Sequence, residues 1–176
     1  MTARKTSSTA FFDTSAFIPL LDPEKSLHAR ILQHVNEREA FVAIDTVVLS
    51  EFLVGIPDAS ADDAFVKSCT KQFRIHTFDI QTASVCAALF QVLKAKGQVP
   101  RTQTDRQLTK VDAMVLASAI VSGADEFLFE DGCFAAWPAL LDNPFCGFRL
   151  PEFVRVSGLP PVEIQGELSM GDSPEG

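Results

Sequence analysis

The sequence lacks several features that would assign it at once to a common class. Its four cysteines lie far apart and form no Cys-x-x-Cys pair, which argues against a zinc ribbon and a thioredoxin-like motif. No apolar run approaches the roughly 18 to 20 residues that cross a bilayer, and no signal-peptide core follows the N-terminus. We therefore expect a cytoplasmic protein with no membrane segment, whose cysteines are buried free thiols: Cys69, Cys86, Cys133 and Cys146.

Positive charge is also scarce. The formal net charge is −8, which argues against the broad basic surface of many nucleic-acid-binding proteins. The exception is local, because residues 94–111 contain five cations and one acid: Lys94, Lys96, Arg101, Arg106 and Lys110 against Asp105. A phosphate-binding segment is therefore compatible with an acidic chain.

The overall composition is that of one globular domain. The chain has 176 residues, of which 47% are hydrophobic and 22% charged, enough to bury a single sizeable core. Residues 157–176 are rich in Gly, Pro and Ser and contain four acids but no Lys or Arg. We expect the domain to span residues 10–156 and a flexible acidic tail to follow over 157–176.

Short apolar segments alternate with segments of helical periodicity. The pattern predicts strands over 10–13, 41–44, 74–78, 126–129 and 148–156, and helices over 24–38, 47–56, 60–72, 80–96 and 110–122. Asp45-Thr46 is predicted as the N-cap of the helix 47–56, and Gly97 as the glycine that ends the helix 80–96. Residues 97–109 are polar without an apolar period and are predicted as an exposed loop. Strands that alternate with helices predict a three-layer α/β/α fold with a mainly parallel central sheet.

Four acids stand in apolar surroundings. Asp13 ends the strand of FFDTSAF, Glu51 is the only charge in TVVLSEFLVGI, Asp112 lies in the first turn of the predicted helix KVDAMVLASAI, and Asp131 follows the strand EFLF. Each acid also has a structural explanation. Asp13 could be a helix N-cap, and Glu51 could belong to a solvated stripe of its helix. Asp112 could be stabilised by the helix dipole, and Asp131 could be a turn residue. Because parallel strands end at one edge of a sheet, we expect these acids to form one site.

Such a cluster requires a cation. Two carboxylates about 4 Å apart repel by about 4 kcal/mol at an effective dielectric constant near 20. An all-oxygen set favours Mg²⁺ or Mn²⁺ over zinc. His28, His34 and His76 occupy unrelated segments, and we expect them to be structural or exposed.

The order of these motifs is familiar: hydrophobic-Asp-Thr-Ser, then S-E-F, V-D-A, E-D and a closing FRLPEFVRV. It resembles the PIN-domain ribonucleases, and among them the VapC-like toxins of bacterial toxin–antitoxin pairs. The resemblance implies a Mg²⁺-dependent endoribonuclease in which the catalytic residues Asp13, Glu51, Asp112 and Asp131 hold one or two metal ions. It also implies an RNA substrate, an antitoxin that inserts an arginine near the metal site, and a homodimer.

The remaining assignments concern substrate contacts. Thr14 or Ser15 would orient the first carboxylate or a water at the substrate, and Arg106 and Lys110 would guide phosphates because they lie nearest Asp112 in the cationic segment. Glu130, beside the last acid, is an extra charge where the family commonly has Thr-Asn-Asp.

Three alternatives stay open. The chain could be a PIN domain outside a toxin pair, or an inert acidic socket for the arginine of a partner protein. A phosphotransfer enzyme with Asp13 as nucleophile is the weakest, because enzymes of the haloacid-dehalogenase type need a second Asp where this chain has Ser15.

Overall fold

Strands and helices alternate along the chain, as the sequence predicts. The structure, a computed structural model, describes residues 8–55, 59–100 and 102–162. The elements are β1 Thr9–Phe12, α1 Thr14–Leu21, α2 His28–Glu37, β2 Phe41–Asp45, α3 Thr46–Val54, α4 Ala59–Gln72, β3 Arg74–His76, α5 Ile80–Ala95, α6 Gln103–Val121, β4 Glu126–Phe129, a 3₁₀ helix Gly132–Leu140, β5 Glu152–Arg155 and a short 3₁₀ helix Val156–Gly158.

The five strands form one parallel sheet in the order β3-β2-β1-β4-β5, flanked by helices. This confirms the predicted α/β fold. The interior strand β4 is buried at every position, as expected for a strand covered on both faces, whereas the edge strands β3 and β5 are partly exposed. Phenylalanines from β1 and β4, Phe11, Phe12 and Phe127, lie in the core with no exposed surface.

The strand order places a crevice between β1 and β4. The chain leaves β1 towards β2 on one side and reaches β4 only later on the other side, so connections diverge at this pair. In open α/β sheets, ligand sites lie outside the carboxyl ends of the strands at such a switch point. Asp13 follows β1 and Asp131 follows β4 by two residues, so both acids lie at this edge.

The predicted loop over 97–109 is wrong for its second half, because α6 already begins at Gln103. Thr102 caps the helix: its hydroxyl accepts a hydrogen bond of 3.2 Å from the Asp105 amide. Residues 103–108 are exposed on all sides, so they carry no apolar period although they are helical. Asp112 consequently lies in the middle of α6, and its predicted place in the first turn is wrong.

Other boundaries differ by a few residues. The helix α1 and the 3₁₀ helix Gly132–Leu140 were not predicted, α2 begins at His28 instead of residue 24, and β5 is confined to Glu152–Arg155. The predicted glycine at the end of α5 is confirmed, since Gly97 has a φ of 71°. Asp45 caps α3, as predicted.

The described structure continues past residue 156, where the predicted domain ends. The predicted tail begins at residue 157, but Leu159 is buried in the core with 7% of its surface exposed. Residues 163–176, which contain the four acids of the predicted tail, and Arg101 of the cationic segment lie outside the described residues. Among the helices described, none combines the length and the hydropathy that crossing a membrane requires.

Candidate functional site

Asp13 is both a helix cap and a strand-end acid. It is the N-cap of α1, is 6% exposed, and its Oδ2 accepts hydrogen bonds from the Ser15 amide (3.0 Å) and the Ser15 hydroxyl (2.6 Å). Burial raises the pKa of Asp13, and the hydrogen bonds from Ser15 oppose this shift. The two interpretations of Asp13 are therefore compatible.

Ser15 joins the two strands that border the crevice. While its hydroxyl donates to Asp13, the same oxygen accepts hydrogen bonds from the backbone amides of Glu130 (2.9 Å) and Asp131 (3.1 Å). The end of β4 is thereby held against the start of α1. This side chain therefore adds to the backbone pairing of β1 and β4 and to the hydrogen bond of 2.9 Å from the Asp13 amide to the Leu128 carbonyl.

Thr14 orients a different carboxylate. Its hydroxyl donates a hydrogen bond to Glu51 Oε2, so Glu51 on α3 is turned towards the start of α1. The sequence predicts that Thr14 or Ser15 orients the first carboxylate or a water. Ser15 does orient Asp13, whereas Thr14 acts on Glu51.

Asp112 interacts electrostatically with the other three predicted acids. Its pKa is raised to about 7, first by burial and then by the charges of Asp13, Asp131 and Glu51, while a hydrogen bond from Cys133 opposes the shift. These acids come from β1, α3, α6 and the end of β4. The structure therefore brings all four predicted carboxylates into one electrostatically coupled group.

Cys133 belongs to the same group, and the sequence analysis did not predict it. Asp131 Oδ1 accepts a hydrogen bond of 3.0 Å from the Cys133 amide, and Cys133 Sγ lies 3.5 Å from Asp112 Oδ2 as a donor. Burial, followed by the charges of Asp112 and Asp131, strongly raises the pKa of the Cys133 thiol. The only signal in the sequence is its position two residues after Asp131 in EDGC. Cys69 is buried as predicted, but Cys146 is exposed, so that part of the prediction is wrong.

Glu130 points away from the cluster. Its Oε2 accepts a hydrogen bond of 2.8 Å from the Ser157 amide, and its Oε1 lies 3.5 Å from Arg155 Nη2. The extra charge beside Asp131 is therefore directed to the C-terminal end of β5. It anchors that segment and is paired with a cation there.

Arg106 and Lys110 face α5. The Lys110 ammonium lies 5.7 Å from the centre of the Phe90 ring, and Arg106 lines a cavity of about 290 Å³ with Phe90 and Lys94. Two residues along a helix turn the side chain by roughly 200°, so Lys110 and Asp112 project to nearly opposite sides of α6. The structure does not bring these two cations beside the acids.

The chemistry of the donors fits a hard divalent ion. All four clustered acids offer oxygen ligands, which suit Mg²⁺ or Mn²⁺. Within the described ranges, no three His, Cys, Asp or Glu side chains are already spaced as a closed metal-binding group. Uncompensated carboxylates repel one another, and closing them requires the charge of the ion. The predicted structural role of the histidines is supported, since each hydrogen-bonds to a group outside the cluster: His28 to Pro19, His34 to Glu126 and His76 to Thr82.

Residues 10–138 match the PIN domain family. This match covers most of the chain, and the protein belongs to that family, whose members are typically nucleases and generally use a divalent metal. None of the curated proteins compared with this sequence matches it significantly.

Solved structures of VapC toxins in VapBC toxin–antitoxin complexes share this fold. The DNA-bound VapBC of Salmonella typhimurium superposes with a TM-score of 0.59 at 16% identity, covering 85% of this chain and 98% of that chain. VapBC-1 of nontypeable Haemophilus influenzae gives 0.59 at 11% identity, covering 85% and 98%. VapC20 of Mycobacterium tuberculosis, a toxin that cleaves the sarcin-ricin loop, gives 0.51 at 18% identity, covering 80% and 96%. At these identities the similarity concerns the fold.

Proposed function

We propose that this chain is a Mg²⁺- or Mn²⁺-dependent endoribonuclease whose catalytic and metal-binding residues are Asp13, Glu51, Asp112 and Asp131. The observation that carries the proposal is the convergence on Asp112 of three acids that the sequence keeps far apart. Membership of the PIN family and the cleavage of RNA by VapC20 support RNA as the substrate.

In the proposed reaction, the acids bind the metal ion and the neighbouring hydroxyl groups position the acids. A bound divalent ion would lower the pKa of its water and stabilise charge at the phosphorus. Ser15 holds Asp13 and the backbone of Asp131 in place, and Thr14 holds Glu51. The products would carry a 3′-hydroxyl and a 5′-phosphate.

We propose Arg106 and Lys110 as RNA contacts, but on the side of α6 that faces α5 and not beside Asp112. Together with Lys94 they surround the Phe90 ring on the outer side of the α5–α6 pair. Cations bind the phosphate backbone, and a partly exposed aromatic ring such as Phe90 can stack on a base. We propose that this surface holds RNA that extends beyond the acidic cluster, and that Thr14 and Ser15 lie next to the cleaved phosphate.

Metal-dependent cleavage by the purified protein is the direct test. A mixed-sequence single-stranded RNA is incubated with the protein in Mg²⁺, in Mn²⁺ or in EDTA, and the cuts are mapped by primer extension. We expect cleavage with either ion, loss in EDTA, and loss in Asp13→Asn and Asp112→Asn. Asp142→Asn is the matched control, since Asp142 is an exposed acid outside the cluster. Cleavage that persists in both cluster variants would disprove the assignment, whereas a wild-type protein without cleavage would favour the inert socket.

We also propose that the nuclease is the toxin of a toxin–antitoxin pair. Structures of this fold include VapBC2 from Rickettsia felis bound to a DNA fragment from its promoter and FitAcB from Neisseria gonorrhoeae. The acidic cluster would accept an arginine of the antitoxin. Induced expression in a bacterial host should arrest growth, and Asp112→Asn should not. Harmless expression of an active nuclease would favour a PIN domain outside a toxin pair.

A homodimer is the proposed assembly. A cavity of about 300 Å³ between α5 and α6 is lined almost entirely by apolar atoms, including Phe78, Cys86 and Met114, and Ile80 nearby is 91% exposed. Phe90 and Lys110 also line this cavity, so the dimer contact would border the proposed RNA surface. Exposed apolar patches of this kind mark protein contacts. Light scattering should give twice the monomer mass for the wild type, and Ile80→Glu should reduce it to one.

A further inference from the structure

A fifth carboxylate lies at the same edge of the sheet and has no place in the proposed reaction. Asp45 ends β2, next to the strand that leads to Asp13, and has no exposed surface. Its Oδ1 accepts a hydrogen bond of 2.8 Å from the Val48 amide and so caps α3, the helix that carries Glu51.

In the described structure, the other carboxyl oxygen of Asp45, Oδ2, lacks the hydrogen-bond donors that an ionised carboxylate needs. No donor among the described residues reaches Oδ2, although the carboxyl group interacts with Ser118 on α6. The Ser118 hydroxyl hydrogen is directed to the Met114 carbonyl, 3.1 Å away. A hydrogen bond between Ser118 and Asp45 Oδ2 therefore needs a proton that Asp45 supplies, and the Ser118 oxygen accepts it.

The nearby histidine, His76, hydrogen-bonds to Thr82. The Thr82 hydroxyl donates to Asp79 Oδ1 at 2.8 Å, so its oxygen accepts from His76 Nε2 at 3.1 Å. Within the described ranges, no ion pair joins His76 or another cation to Asp45. A buried carboxylate with an unbonded oxygen and no paired cation is costly, and protonation removes that cost.

We propose that Asp45 is a positioning residue, held as a neutral carboxylic acid, that joins α3 to α6 behind the carboxylate cluster through its hydrogen bonds to Val48 and Ser118. The two helices carry Glu51 and Asp112, so this bridge sets their separation without adding a charge to the site. Burial raises the pKa of Asp45, and the backbone hydrogen bonds from Val47 and Val48 and the charge of His76 oppose that shift. The positioning role rests on the proposed metal site, whereas the neutral state does not.

Two substitutions separate the bridge from the helix cap. Asp45→Asn keeps an acceptor for Val48 and offers Ser118 an N–H donor, so it reproduces the neutral acid. Asp45→Ser keeps the cap, since serine is a good N-cap residue, but is too short to reach α6. We expect Mn²⁺ affinity within about twofold of wild type for Asp45→Asn and a loss of roughly tenfold or more for Asp45→Ser, the usual effect of losing a group that supports metal ligands.

The neutral state is tested separately by urea unfolding of the wild type and Asp45→Asn in EDTA at pH 4 and pH 8. A raised folded-state pKa means that wild-type stability falls as the pH rises above the unfolded value, whereas asparagine does not titrate. The stability difference should therefore shift towards Asp45→Asn at pH 8. The other ionisable groups near the bridge are common to both proteins and cancel: Asp13, Glu51, His76, Asp79 and Asp112.

The outcomes are distinct. A pH-independent difference, or one that favours the wild type at pH 8, would overturn the neutral acid. Equal Mn²⁺ affinity in Asp45→Ser and the wild type would overturn the positioning role. If the wild type binds no Mn²⁺, the metal site and the positioning role fall together, while the unfolding comparison still decides the protonation of Asp45.

Discussion

Thr14 donates a hydrogen bond to Glu51, and this contact joins the first residue of α1 to the only charged side chain of α3. Glu51 is exposed, so its orientation is not determined by packing. The hydroxyl of Thr14 therefore limits the rotamers that Glu51 can adopt before any ligand binds. Four predictions follow from this and related contacts.

Thr14→Val should weaken Mn²⁺ binding, because valine preserves the shape of the side chain but cannot donate to Glu51. A hydrogen bond contributes about 1 kcal/mol, which corresponds to roughly a fivefold change in affinity. Thr14→Ser, which retains the hydroxyl, is the control. Titration calorimetry would contradict the prediction if the two variants bound Mn²⁺ equally well.

Ser15→Ala should destabilise the fold by about 1 to 3 kcal/mol, because the amides of Glu130 and Asp131 lose their acceptor. Ser50→Ala is a suitable control, since Ser50 is exposed and, within the described part of the chain, its hydroxyl donates to Val47 of the same helix and to no other group. Urea unfolding monitored by circular dichroism measures both. A Ser15 variant as stable as the Ser50 variant would show that the contact between β4 and α1 does not depend on this hydroxyl.

Asp112 should make stability and metal binding depend on pH. In the absence of metal its pKa is about 7, above the value of about 3.9 expected in an unfolded chain. The stability that its proton provides is complete below the unfolded pKa and is lost as the pH rises through about 7. In EDTA, Asp112→Asn should therefore gain stability relative to the wild type between pH 5 and pH 8.

Metal binding should show the opposite dependence on pH, because protons compete with the ion for Asp112. Mn²⁺ affinity of the wild type should increase between pH 6 and pH 8, as measured by calorimetry. Asp142→Asn, a surface substitution, should follow the wild type in both experiments. Parallel unfolding profiles for the wild type and Asp112→Asn would contradict the raised pKa.

Glu130 and Asp131, which follow β4, should differ in their contribution to Mn²⁺ binding. Asp131→Asn should weaken Mn²⁺ binding, whereas Glu130→Gln should leave it unchanged, because Glu130 bonds to Ser157 and Arg155 away from the cluster. The Glu130 variant should instead lose up to about 1 kcal/mol of stability, as expected for a partly exposed ion pair. A loss of Mn²⁺ affinity in Glu130→Gln would place that carboxylate among the metal ligands.

Local sequence patterns predicted much of the fold. The run from Glu126 to Phe129 is the strand β4 as predicted, and Asp45 and Gly97 mark helix ends as predicted, because strands, caps and left-handed turns depend on a few adjacent residues. The start of α6 is not predicted, because apolar periodicity detects only helices with a buried face. Its first turns are exposed on all sides, so apolar periodicity could not reveal a helix that its cap and its buried continuation support.

The sequence by itself determined the order of the strands and helices and the four acids whose apolar surroundings marked them as unusual. Only the tertiary structure decided that Asp112 lies in the middle of a helix and that Arg106 and Lys110 turn towards α5. It also decided that Cys133 contacts Asp112 and that Asp45 is fully buried. The physical reason is that a side chain's direction depends on helix phase, and its partners depend on which elements pack together. Both are properties of the assembled sheet and its helices, which contacts between residues distant in the chain determine.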